Sequence, residues 1–434
     1  MKGVLSEDFS PVSFMALSYN LKYKKLNFFH KVLLEKEGEI ILNRQYFRLK
    51  GKGAGDQGET IYFADIKEMS VDDDYLEFTT FRKERYALSN FSNLFDSFIK
   101  DFFKVRNDFL AEALLMKVGM LYQEYDGQVE IVNRFGKFIN RGMCRIQFYE
   151  SSIVVIPEKH DCFVIYLNFL KNHELDEDEY VLKLYLDTGS IIQFSKLGTM
   201  LEDAQETLES LMGKMYEKIV NHLKEILPEF DPVTLLKLAY QFKDGKCVSF
   251  QVIKKLHEDL PKKIEALLFE KLSPAMKEKA AMLKSLAGDP QFYAGLSFQT
   301  RPDTRDLQMK LWFLAALPEK NILALSSGNL NEENVYFFRI VMEEGIVEEK
   351  LQDKILELNQ SLFLSRFDFG ILYKDKHDLK KTKFKTALRK LVFLRILRKS
   401  FIGKSSAVDL KDFKKDLDKY FIIAKLQQKT LALR

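Results

Sequence analysis

Gly53-Ala54-Gly55-Asp56-Gln57-Gly58 carries the G-x-G-x-x-G spacing in which glycines let backbone amides approach a pyrophosphate. That chemistry needs a helix to open there, with its N-terminus facing the phosphates, but Glu59-Thr60-Ile61-Tyr62-Phe63 reads as a strand. The segment is therefore expected to be a hairpin loop, with Lys50 and Lys52 on its shoulder as a possible anion contact. Gly403-Lys404-Ser405 matches the end of a P-loop, yet Arg398 stands where the first glycine belongs and a basic helix precedes it, so a helix end is the simpler reading. His160-Asp161-Cys162 would set a histidine and a thiol on one strand face, the makings of a nucleophilic pair, with a buried Cys162 as the plainer alternative. Asp72-Asp73-Asp74 and Asp176-Glu177-Asp178-Glu179 lack the glycine-bearing spacing of a calcium loop and read as solvated hairpin tips. This inventory assigns no catalytic residue, no metal ligand and no cofactor.

Arg44 and Arg48, in Arg44-Gln45-Tyr46-Phe47-Arg48, have a spacing that resembles the R-x-x-x-R of the cyclic-dinucleotide-binding PilZ family. That family's D/N-x-S-x-x-G segment is missing, since Asp65-Ile66-Lys67-Glu68-Met69-Ser70 lacks both the serine and the glycine. An exposed basic edge strand with Arg44, Tyr46 and Arg48 on one face accounts for the same residues.

The strongest charge signal lies near the end of the chain. Residues 374 to 434 hold nineteen Lys or Arg against six Asp or Glu, a net of +13, which leaves −9 on the remainder of a chain whose total is +4. Between residues 379 and 399 an apolar stripe of Leu388, Leu391, Val392, Ile396 and Leu397 is flanked by Lys380, Lys381, Lys383, Lys385, Arg389, Lys390, Arg395, Arg398 and Lys399 with no acid between them. A helix of this kind can lie on an anionic membrane surface or follow nucleic-acid phosphates. It can also be a core helix whose basic face meets the acidic remainder. The candidate anion-binding residues are Lys380, Lys381, Lys385, Arg389, Lys390, Arg395, Arg398 and Lys399.

The elements that would position these groups show a duplication. Ile61-Tyr62-Phe63, the acidic turn at Asp72, Tyr86-Ala87-Leu88-Ser89 and a following helix recur about a hundred residues later as Ile165-Tyr166-Leu167, the turn at Asp176, Ile192-Gln193-Phe194-Ser195 and another helix. In the first helix Phe91, Leu94, Phe95, Phe98, Phe102, Val105 and Phe109 form one apolar stripe; in the second Leu208, Leu211 and Met215 do the same. Five or six strands are legible in each copy. A strand meander closed by one amphipathic helix, twice over residues 27 to 118 and 125 to 227, resembles a tandem of pleckstrin-homology-like (PH-like) domains of the bacterial kind. The resemblance implies an α+β chain with PH-like domains at 1–118 and 119–228. A helical and then α+β region, 229–434, follows with basic terminal helices.

Three cysteines are too few and too scattered for a disulfide framework. Glu7 and Asp8 interrupt the N-terminus before any apolar stretch, and no apolar run reaches membrane-spanning length, so a cytoplasmic chain with no transmembrane segment is expected. PH-like modules present loops and sheet edges without catalytic groups. The expected function is therefore a non-enzymatic binding or scaffold protein, with a protein partner foremost and an anionic membrane or nucleic acid reached through the C-terminal region. The alternatives are an enzyme or small-ligand sensor with its site near Trp312, and a nucleic-acid-binding protein acting through the terminal helix.

Overall fold

The computed structural model describes residues 17–27, 31–53, 55–113, 120–270, 272–300, 307–327, 334–340, 348–364, 397–398 and 400–432. Alternation drives the first sheet: Leu21 and Tyr23 on β1 (Leu17–Leu26), Ile40 and Leu42 on β2 (Val32–Leu42), and Phe47 and Leu49 on β3 (Tyr46–Gly51) all turn inward. With β4 (Glu59–Tyr62), β5 (Ile66–Val71), β6 (Tyr75–Thr80) and β7 (Arg85–Ser89) they form an antiparallel sheet ordered β4-β3-β2-β1-β7-β6-β5. Its two edge strands are successive in the chain, joined by the 3-10 turn Phe63–Asp65. Seven flat strands would hold their edges about 28 Å apart, whereas the chain from Tyr62 to Ile66 reaches about 14 Å. The sheet must curl until its edges approach at this corner. α1 (Phe95–Ala113) packs against the curled sheet, burying Phe98, Ile99, Phe102, Phe103 and Val105 in its core. Phe102 meets the rings of Phe47, Phe63 and Phe98, each at 5.6 Å.

The second sheet repeats the first. β8 (Leu121–Val132), β9 (Phe138–Tyr149), β10 (Ser152–Pro157), β11 (Phe163–Tyr166), β12 (Leu170–Asp176), β13 (Val181–Leu186) and β14 (Ile191–Ser195) run in the order β11-β10-β9-β8-β14-β13-β12. The repetition reaches fine detail. A 3-10 turn, Leu167–Phe169, again joins the edges, and a bulge follows Ile66 in one sheet and Leu170 in the other. The link into the helix takes left-handed backbone at Asn90 and Ser92 (φ 65° and 56°), and at Lys196 and Gly198 (57° and 59°). Tyr19 OH donates to Asp101 at 2.5 Å and Tyr125 OH to Asp203 at 2.6 Å, each tying a first strand to its helix. Seven strands per sheet, not five or six, are present. Leu94, assigned to the buried stripe from its spacing, is exposed in a 3-10 turn, because the α-helix begins one residue later.

α2 (Leu201–Ile226) belongs to two cores. Leu201, Ala204, Leu208, Leu211 and Met212 pack in the second sheet, while Ile219 and Leu223 pack in the third unit, with Met215 half-buried between them. Asp231 then caps α3 (Pro232–Gln241), accepting hydrogen bonds from the Val233 and Thr234 amides, with Pro232 at the position where a missing N–H costs nothing. α4 (Phe250–Leu256), α5 (Leu260–Glu270) and α6 (Pro274–Ala287) follow, after the short strand β15 (Cys247–Ser249).

β15 begins a third antiparallel sheet that continues in chain order with β16 (Phe292–Thr300), β17 (Leu307–Leu317), β18 (Ile322–Ser327), β19 (Val335–Arg339) and β20 (Phe401–Ser405). Phe313, Ala315, Leu317, Ile322, Ala324 and Phe337 share one buried cluster with α3 to α6 and with α8 (Leu410–Ala432). The alternate residues Trp312, Leu314, Ala316, Leu323, Leu325 and Phe338 share another with Leu351, Ile355, Leu358 and Leu362 of α7 (Glu348–Leu364). Burial on both faces explains why Leu311-Trp312-Phe313-Leu314-Ala315-Ala316-Leu317 shows no alternation. The chain is α+β, with helices and antiparallel sheets throughout.

Gly295 lies directly across from Trp312, and a Cβ placed there would sit 2.1 Å from the indole Cε2. The indole occupies the space a side chain would need. Gly295→Ala is therefore expected to cost about 1–3 kcal/mol through overpacking. Urea unfolding checks it, and an unchanged midpoint would contradict the placement of the ring.

Candidate functional site

Of the candidate anion-binding residues, Lys380, Lys381, Lys385, Arg389, Lys390, Arg395 and Lys399 lie outside the described residues. Arg398 is half-buried, and burial holds its guanidinium below the ordinary arginine range. Its neighbour Leu397 is in the core between the third sheet and α7.

The glycine-rich loop joins β3 to β4, as a hairpin loop should. Asp56 organises it: its carboxylate accepts from the Gly51 amide at 3.2 Å, the Gly58 amide at 2.9 Å and Lys36 Nζ at 2.7 Å. The lysines around the open pocket beside it, about 520 Å³ in volume, have acidic partners: Lys36 on Asp56 and Lys52 on Glu37 at 3.1 Å. Lys50 lies 4.0 Å from Glu39. An anion entering here would have to displace carboxylates, which removes the electrostatic reason to bind it.

Gly403-Lys404-Ser405 is not a helix end. It lies on the edge strand β20, paired with β19, because the face of β20 is claimed by α8. The Tyr420 ring lies against Gly403, where a Cβ would fall 2.3 Å from Cε1, and Tyr420 OH donates to the Lys404 carbonyl at 2.6 Å. Ser405 donates to Asp416 at 2.6 Å. These contacts tie a strand to a helix, and none forms a phosphate cradle.

Arg44 is in the turn before β3, so only Tyr46 and Arg48 share a strand face, and β3 is shielded from the edge by β4. The two acidic segments do sit at hairpin tips, between β5 and β6 and between β12 and β13; at the second, Asp176 takes an ion pair from Lys183 at 2.6 Å. Among the described residues no three His, Cys, Asp or Glu side chains gather as a metal site. Trp312 is buried in the third core.

His160-Asp161-Cys162 lies in the loop between β10 and β11, not on a strand, because α1 of the first unit holds it there. Arg106, fully buried, directs Nε and Nη2 to the Asp161 carboxylate at 2.5 and 2.7 Å and Nη1 to the Phe63 carbonyl at 3.1 Å. Asn107 donates to the Pro157 and His160 carbonyls and accepts from the Cys162 amide at 2.8 Å. Cys162 Sγ points at the Asn107 carbonyl, 3.6 Å away, and packs with Leu110, Ala111, Tyr149 and Val154. Burial lowers the His160 pKa, Arg141 adds to this and Asp161 opposes it. Histidine and thiol are here parts of a clasp between units.

A second clasp joins the second sheet to the third unit. Lys243, nearly inaccessible, donates to the Leu170 carbonyl, and burial with Lys246 nearby pushes its ammonium down to about 8 against the pull of Asp187. Lys246 pairs with Asp187 at 2.9 Å, and Asn168 donates to the Asp244 carbonyl at 2.7 Å. Buried Asn359 of α7 then secures the same stretch, donating to the Gly245 carbonyl and accepting from the Cys247 amide at 2.7 Å. Phe363 packs edge-on against Tyr166 and Phe169. Sequence spacing could not reveal these partners, which are mostly more than fifty residues apart.

At the β8–β9 tip, Asn133 Oδ1 accepts from the Phe135 and Lys137 amides, presenting Phe135 at 79% exposure beside Phe138 at 54%. Arg134 lies over the Phe135 ring at 4.8 Å and pairs with Asp353 of α7 at 2.5 Å. The tight Asn-x-x-Gly turn was the available sequence signal for this tip. No described helix is long and apolar enough to cross a membrane.

No family model and no curated protein matches the chain. Among solved structures, the C-terminal domain of an unknown protein from Leishmania infantum is similar at 17% identity with a TM-score of 0.17, over 21% of this chain and 81% of that chain. Likeness at that level carries no argument about fold or function.

Proposed function

We propose that the chain is a non-enzymatic binding or scaffold protein, built from two PH-like modules and a basic C-terminal end that meets an anionic partner. The observation that carries the reading is the seven-stranded sheet ordered identically twice, each curled to an edge-joining corner and followed by a helix packed into its core. Such a frame offers loops and sheet edges to a partner. Its polar clusters at Arg106–Asp161 and Lys243–Lys246 are committed to holding the units together.

The charge asymmetry puts the anion-facing part at the C-terminal end. In the full chain, Arg389, Lys390 and Arg395 replaced together by Gln should weaken binding to phosphatidylserine-containing vesicles or to a DNA oligonucleotide roughly a hundredfold, at about 1 kcal/mol per charge. Lys404→Ala should bind as the unaltered chain does. Undiminished binding by the first variant, or loss only in the second, would sink this reading of the C-terminal end.

A further inference from the structure

α8 has two faces with different partners. Phe413, Leu417, Tyr420 and Ala424 are buried against the third sheet and α6. On the opposite side Lys415, Lys419, Ile422 and Leu426, at spacings of four, three and four, form one outward stripe. Ile422 and Leu426 are each 61% exposed, one turn apart. Exposed Lys411, Lys414 and Lys425 flank them, giving five lysines against the exposed acids Asp412 and Asp418. Asp412 is already paired with Lys415 at 2.7 Å, and Asp416 is turned away to Ser405.

We infer that this outward face of α8 docks on an anionic lipid surface. The inference rests on the reading of the C-terminal end as the anion-facing part, and it names the partner. Lysines alone would serve phosphates of any origin, but two adjacent exposed aliphatic side chains gain nothing from a nucleic-acid backbone. At a bilayer they enter the boundary between headgroups and acyl chains while the lysines beside them reach lipid phosphates. Buried Phe413, Leu417, Tyr420 and Ala424 keep the helix folded against the sheet, so the face is presented rigidly and needs no refolding to bind.

The test uses the full chain and vesicles of phosphatidylcholine with and without phosphatidylserine, alongside a DNA oligonucleotide. Ile422→Ser with Leu426→Ser should reduce binding to the phosphatidylserine vesicles roughly tenfold and leave oligonucleotide binding unchanged. Both sites are exposed, so the melting temperature should not move. Because the chain has a single tryptophan, buried Trp312, the variant Ile422→Trp reports insertion directly: its emission should shift to the blue when phosphatidylserine vesicles are added. Unchanged vesicle binding by the double variant, or no shift from Ile422→Trp, would overturn the inference. Oligonucleotide binding that falls while vesicle binding holds would overturn it in favour of a nucleic-acid surface. If replacing Arg389, Lys390 and Arg395 abolishes binding while the Ile422/Leu426 variant binds normally, the broader reading stands and the α8 face is excluded.

Discussion

Phe98→Ala should destabilise the first unit by about 3–5 kcal/mol, the range for truncating a fully enclosed aromatic. Phe98 has no accessible surface. Its ring stacks on Phe91 at 4.2 Å and meets Tyr19 at 5.4 Å and Phe102 at 5.6 Å. Collapse around the lost ring is resisted from three sides, because α1 is held to the sheet by Phe102 and Phe103 and to β1 by the Tyr19–Asp101 hydrogen bond. Phe95, one turn earlier and half-buried, gives the internal control: Phe95→Ala should cost clearly less. Chemical denaturation of both variants decides the matter. Equal losses, or an unmoved midpoint for Phe98→Ala, would mean that α1 does not fill the curled sheet as described.

Asp161→Ala is expected to cost about 2–4 kcal/mol, somewhat below the value for a wholly enclosed pair, because the Asp161 side chain is 45% exposed while that of Arg106 is 2% exposed. The asymmetry sets the order of effects. Removing the acid leaves a guanidinium that cannot reach water with the Phe63 carbonyl in place of a charged partner, whereas Arg106→Met leaves a half-exposed aspartate and a Phe63 carbonyl that still accepts from the Ile66 amide, and should cost about 1–2 kcal/mol. The double variant should then be less destabilised than the sum of the two. A double-mutant cycle measures this directly. Additive losses, or a larger loss from Arg106→Met than from Asp161→Ala, would show that the fork does not couple the first helix to the second sheet.

What was legible in the sequence follows from which forces are local. The stripe through Phe98 and Phe102 is a helical period and reads directly, as do the acidic hairpin tips. β1, β5 and β12 do not. β1 carries Lys22, Lys24 and Lys25 among its apolar positions, and β5 and β12 are edge strands whose Lys67, Glu68, Lys171 and Asn172 face solvent, so their composition imitates loops. Gly403-Lys404-Ser405 misled because the partner that makes it a strand, β19, lies more than sixty residues away. His160 and Cys162 misled similarly, since Asn107, which fixes their loop, belongs to another unit. The outward stripe of α8 does not stand out in the sequence, because its lysines are interleaved with Asp412, Asp416 and Asp418 while residues 380 to 399 carry basic side chains and no acid.

The position of β20 in the third sheet bears on synthesis. β19 reads Val335-Tyr336-Phe337-Phe338-Arg339 and finds its outer neighbour only in Phe401–Ser405. Every nascent chain that has exposed β19 but not yet β20 therefore carries an aromatic strand with one row of amides and carbonyls unclaimed. At roughly 5–20 residues per second the interval lasts several seconds. In the first two sheets β1 waits about as long for β7, and β8 for β14, but those strands carry charged side chains along their length, Lys22, Lys24 and Lys25 on one and Glu124, Asp126 and Glu130 on the other. A vulnerable period of synthesis is thus the passage from residue 340 to residue 400, when an open edge rich in aromatic side chains is the surface a chaperone would meet.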